Sequence, residues 1–304
     1  VTDMNAPLGG SVPHRRRRAR SAWSRVFWIG LLLWLATVVI TLLTRNTNLV
    51  PTIVLLGSFL VPVTFVVWAY ERARSDEVSI VLMVRAFIIG GLIGVLGASV
   101  LESYLLRPNL FLFLGVGLIE EAVKILAAAI VARHLTRYTV RDGLLLGAAV
   151  GFGFAAFESA GYALSAVITE RGLDIMAVVQ VEVLRGMLSP FMHGLWTAIA
   201  VAALFQAAHG RRYRVTGWFL LVYLGVSVLH AVWDAMHPFV TGIVLLLTGT
   251  QAQLRLVARD GNAHFTSEQQ AMVGILYALG LLVVILVNLL WLRYWANRAQ
   301  RVPE

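Results

Sequence analysis

Residues 111–133 read FLFLGVGLIEEAVKILAAAIVAR, and this stretch decides what kind of chain this is. A helix crosses the hydrocarbon core with about 20 apolar residues. The stretch is long enough, yet it carries Glu120, Glu121 and Lys124 at its middle. Lys124 is the only lysine in the chain; the other 24 basic residues are arginines. A charge at the bilayer centre costs about 2.5–3.5 kcal/mol or more, so such residues face a partner or a wet cavity.

Working outward, the whole chain fits a membrane. It has 304 residues, of which 59% are hydrophobic and 13% charged. A soluble domain carries about 25% charged residues. Mean hydropathy is +0.79. The expected fold is all-α: a polytopic helix bundle of about eight transmembrane helices. The spans run over 23–44, 50–70, 78–101, 111–133, 143–168, 184–207, 215–237 and 270–292. Residues 1–22 read as an Arg-rich, disordered tail beside anionic headgroups, and 293–304 as a second tail. No small-residue cleavage site follows the first apolar run, which reads as a retained helix. Pro238 is expected to close the seventh helix. Ile243 to Leu247 then reads as a short re-entrant or interfacial piece, and Asp260-Gly261-Asn262 as an exposed turn.

Basic residues sort by side. Alternate loops place 17 of them on one face and five on the other. Arginine and lysine accumulate in cytoplasmic loops, so both termini are expected in the cytoplasm. The net charge of +9 therefore points to membrane orientation and not to nucleic acid. The absence of Cys excludes disulfides and thiolate metal ligands.

The embedded polar residues fall on four successive helices: Glu120, Glu121 and Lys124, then Glu158, then His193, then His230 with Asp234. At 1.5 Å per residue they lie roughly 18–22 Å from the Arg-rich ends of their helices. That is one layer, displaced toward the outer half of the bilayer. His230 and Asp234 are four apart and share a face, as do Glu120 and Lys124, and Phe154 and Glu158. Glu120 and Glu121 diverge by about 100°, so one faces a reacting centre and the other supports it. Gly147, Gly151 and Gly161 are expected to admit a close helix neighbour. Arg85 and Arg185 read as snorkelling or interfacial, and His134, His209, His237 and His264 as solvated residues at helix ends.

A carboxylate beside two imidazoles, away from bulk water, activates water for hydrolysis. With a divalent metal such as zinc, His193, His230 and one carboxylate form a site of familiar type. The HExxH, GxSxG and paired-aspartate patterns are absent. Two other readings of the same residues stand beside this one. The first is a proton- or cation-coupled transporter. The second is a non-catalytic scaffold held by a buried ion-pair network.

Four segments in order carry a resemblance. They are Glu120-Glu121-Ala122-Val123-Lys124, the run from Gly151 to Glu158, His193 after Ser189-Pro190, and His230-Ala231-Val232-Trp233-Asp234. Together, over 111–237, they resemble the PrsW family of intramembrane proteases, which is distantly similar to the CAAX-type membrane proteases. Glu158 and Asp234 stand where the CAAX-type pattern shows His and Asn, so prenylated substrates do not carry over. The resemblance implies a peptidase of the bacterial cytoplasmic membrane. It further implies a membrane-protein substrate cleaved at site 1, an anti-sigma factor of one span. In that frame Glu121 is the expected base, and Glu120 supports it and pairs with Lys124. Glu158, His193 and His230 bind metal or position water, and Asp234 orients His230.

Overall fold

The computed structural model describes residues 21–73, 75–169, 172–261 and 264–301. The Arg15–Arg18 cluster and Asn262 of the expected turn lie outside them. The order is α1 (Ala22–Thr44), α2 (Val50–Arg72), α3 (Ile80–Arg85), α4 (Gly91–Leu105), α5 (Leu112–Val131) and α6 (Val140–Val167). There follow α7 (Ile175–Leu188), α8 (His193–Ala207), α9 (Gly217–Thr248), α10 (Gln251–Asp260) and α11 (Ser267–Arg301). The only sheet among the described residues is a two-residue hairpin between α6 and α7, pairing Ile168 with Leu173.

Seven runs of these residues are long and apolar enough to cross a membrane. The eighth is α5, which its three charges set apart. The protein is a multi-pass membrane helix bundle. Leucines and isoleucines of α1, α4 and α11 lie exposed around its rim, as a lipid-facing surface requires.

At the centre stand α6 and α8. Every residue from His193 to Phe205 is buried. Gly147 and Gly151 allow this contact: a Cβ at either would run into the α8 backbone, at Thr197–Ala198 and His193–Gly194 respectively. Gly161 meets nothing within 4 Å, so the expectation of close packing fails there.

Four helices differ from the sequence reading. The last, expected at 270–292, runs as α11 through Arg301 and takes in most of the stretch read as a second tail. The span expected at 184–207 begins at Ile175 and is broken: Ser189–Phe191 is a 3₁₀ turn, and Met192 leaves the helical region at φ −115°, ψ −126°. Pro190 offers no N–H and ends the regular ladder. Glu182 puts a carboxylate within this added stretch. It is buried, and Trp34 Nε1 of α1 donates to its Oε2 at 2.7 Å. Pro238 does not close the seventh helix, because α9 continues to Thr248 and takes Ile243–Leu247 with it. Lipid penalises unpaired backbone groups, so a membrane helix loses less by passing a proline than by ending there. The third span carries a π turn, Ala86–Gly90, between α3 and α4.

Candidate active site

Helix α5 presents its two glutamates differently. Glu121 is fully buried. Its Oε1 lies 2.7 Å from Lys124 Nζ and 3.0 Å from His230 Nδ1, and its Oε2 accepts from Thr197 Oγ1 at 3.2 Å. Glu120 lines a cavity of about 530 Å³, whose other lining residues include Glu158, His193 and Asp234. Its Oε2 is 3.2 Å from Lys124 Nζ, 3.5 Å from His230 Nε2 and 3.9 Å from His193 Nδ1.

Lys124 sits at the middle of this group. Its ammonium is 3.0 Å from His193 Nδ1 and 4.2 Å from the Phe154 ring centroid. An ammonium only donates, so His193 Nδ1 accepts and its proton resides on Nε2. Nε2 faces Glu158 Oε2 at 3.1 Å. His230 mirrors this with its nitrogens exchanged. Nδ1 donates to Glu121, which leaves the Nε2 lone pair toward Glu120 Oε2 and, at 3.3 Å, Asp234 Oδ2. Each imidazole thus has one nitrogen backed by a carboxylate and the other turned to a shared point, the support that metal-ligating histidines receive.

The chain places these groups by local devices. His193 is the first residue of α8 and emerges directly from the Ser189–Phe191 break. Asn288 of α11 braces that break: its Nδ2 donates to the Phe191 carbonyl at 2.9 Å, and its Oδ1 accepts from Trp196 Nε1 at 3.0 Å. The Trp196 ring stacks on His230 with centroids 4.8 Å apart. Arg185 of α7 pairs with Glu158 and donates to Ser159 Oγ at 2.8 Å.

All eight residues singled out from the sequence meet here: Glu120, Glu121, Lys124, Phe154, Glu158, His193, His230 and Asp234. The metal grouping differs from the expected Glu158, His193 and His230. Glu120, His193 and His230 are the residues whose donor atoms lie within 4.8 Å of one another. Glu158 is held instead by Arg185 and backs His193. Arg185 itself is an ion-pair partner within the site rather than a snorkelling residue. Thr197, Asn288 and Glu102, which also lines the cavity, were not foreseen. Asn288 had left a signal, a lone amide within an apolar run.

The donor chemistry suits a divalent cation. Two imidazole nitrogens and one carboxylate are a common catalytic zinc set. The His230 lone pair and the oxygens of Glu120 and Asp234 are acceptors gathered at one point, which only a proton or cation satisfies. Lys124 occupies two of these donors, so a dication binds there only as the ammonium gives up His193 Nδ1.

Comparison with protein-family models matches residues 78–258 to the PrsW family of intramembrane metalloproteases. The chain belongs to the PrsW family. The match covers α3 to most of α10, and so all eight residues from Glu120 to Asp234 named above. None of the curated proteins and none of the solved structures compared with this PrsW-family chain matches it.

Proposed function

We propose that the protein is an intramembrane endopeptidase that hydrolyses a peptide bond of a single-span membrane protein. One observation carries the reading: Glu120, His193 and His230 converge, buried, and Glu120 and His193 line a cavity large enough for a peptide segment. Glu120, His193 and His230 would hold the metal, which when bound polarises a carbonyl and lowers the pKa of its water. In this reading Glu120, not the Glu121 favoured from sequence, is the base, because it reaches the cavity; the oxygen it does not give to the metal would take the proton of the attacking water. Glu121 fixes the His230 tautomer and holds Lys124. Glu158 does the same for His193, and Arg185 keeps Glu158 in place. Asp234 adds a further carboxylate oxygen, from the cavity side, beside the point that His230 Nε2 faces.

The substrate class follows from location and family: a membrane-spanning protein of the bacterial cytoplasmic membrane, of which an anti-sigma factor is the type we favour. The cavity residues lie in the halves of α4, α5, α6 and α9 that end at the Arg-poor loops, so cleavage falls toward the extracytoplasmic face.

The test is cleavage of single-span peptides in proteoliposomes. Glu120→Gln and His193→Ala should each lower kcat by at least about 100-fold. Glu121→Gln should lower it less, because the amide still accepts from Thr197. Undiminished cleavage by Glu120→Gln rejects the assignment.

A further inference from the structure

His237 and Tyr277 line the site cavity. A second cavity of about 360 Å³ shares both residues with it and runs on between α9 and α11, lined by Thr241, Phe265, Gln270 and Gly274. The two rings meet edge to face with centroids 5.5 Å apart and mark the constriction. His237, read from sequence as a solvated end residue, belongs to both chambers. Thr241 and Gln270 lie nearer the 249–266 connection than His237 and Tyr277 do. The second chamber thus leads from the site toward that end of the bundle.

Each chamber is lined by a residue with an unspent polar atom. Glu102 Oε1 on α4 and Thr241 Oγ1 on α9 are buried and make no hydrogen bond. Buried groups of this kind are usually paired, because leaving one unpaired is costly. A substrate supplies what they lack. A transmembrane segment must unwind before its backbone can be hydrolysed, and every N–H and C=O released then needs a partner away from water.

The geometry points to the two chambers as one binding track for an unwound substrate segment. The scissile bond lies over Glu120. The flank toward the 249–266 side enters the second chamber as the His237 and Tyr277 rings, in contact in this structure, move apart. Glu102 Oε1 accepts a substrate N–H in the first chamber, and the Thr241 hydroxyl bonds the substrate backbone in the second. The inference rests on the endopeptidase reading and names how that site holds its substrate.

Because the chain has no Cys, single-cysteine variants report one position each. Ser99→Cys probes the first chamber and Thr241→Cys the second, both in a Glu120→Gln background that keeps the peptide uncut. The probe is a synthetic single-span peptide with a Gly-Ser centre and one cysteine stepped along its apolar segment, oxidised with the protein in vesicles. We expect disulfides at both positions, with the peptide sites that reach residue 241 displaced toward one end from those that reach 99. Gly274→Trp adds a side chain where a Cβ meets open space. It should abolish crosslinking at 241 and spare 99. Crosslinking at 99 alone, at neither position, or at 241 undisturbed by Gly274→Trp overturns the track. Cleavage of the same peptide by the wild-type protein reports separately on the endopeptidase reading.

Discussion

Lys124 touches Glu120, Glu121, His193 and the face of Phe154 at once. Its replacement therefore leaves two buried carboxylates without their cation. Removing one partner of a buried ion pair costs about 3–5 kcal/mol. Lys124→Met should lose stability of that order in thermal unfolding without metal. It also frees Glu120 and His193 Nδ1 for a dication. Added zinc should then restore much of the loss, since a ligand at 100 times its Kd contributes about 2.7 kcal/mol. The same zinc should stabilise a Lys124→Met, His230→Ala double variant far less. Equal rescue of both variants would place zinc elsewhere. At this scale the sequence showed which residue types stand in the apolar helices. It did not show that Glu120, rather than Glu121, turns to the cavity. Helical spacing fixes the angle between two side chains but not the rotation of the helix against its neighbours.

Among the elements, the broken α7–α8 segment sets the geometry of His193. Asn288 satisfies both the Phe191 carbonyl and the Trp196 indole across that break. Asn288→Leu leaves both unpaired at about 1–3 kcal/mol each and loosens His193 and the ring stacked on His230. Turnover should fall by at least about 10-fold with a smaller change in KM, since misplacement acts on chemistry. Steady-state kinetics on one peptide checks this, and an unchanged kcat removes Asn288 from the positioning role.

Another element contact ties the α2–α3 loop to the α5–α6 loop. The Thr136 hydroxyl donates to Glu77 Oε1, and its N–H donates to Oε2 at 3.2 Å. These bonds, with Arg137 nearby, hold the Glu77 carboxyl below its ordinary value of 4.5. A depressed folded pKa contributes stability above the unfolded value and loses it as pH falls through the folded one. Thr136→Ala should thus be less stable than wild type near neutrality, by a small margin because the contact is exposed. The gap should close as the pH falls below the ordinary carboxylate range. Unfolding midpoints measured across that range decide it, and a gap that persists in acid would assign the contact to packing instead.

The whole molecule sorts its arginines by face, and that sorting predicts its orientation. Asp76 lies in the Arg-rich loop set and Ala252 in the Arg-poor set, and both are exposed. In the cysteine-free chain, a membrane-impermeant maleimide should label Ala252→Cys in intact cells and Asp76→Cys only after lysis. The reverse pattern would invert the protein and move the cavity mouth to the cytoplasm.

The sequence by itself determined the membrane class, the number and order of the spans, and the four helices that carry the polar layer. It could do so because lipid admits only apolar helices and makes every embedded charge conspicuous. Tertiary structure alone decided that α7 breaks before His193, that α9 passes through Pro238, and that Arg185 and Asn288 join the site. It also decided that Glu120 takes the place expected of Glu158 beside the two histidines. Those outcomes depend on which helix faces meet. Each is a balance between a local preference, such as proline ending a ladder, and the cost of leaving backbone or charge unpaired in a packed, water-poor interior.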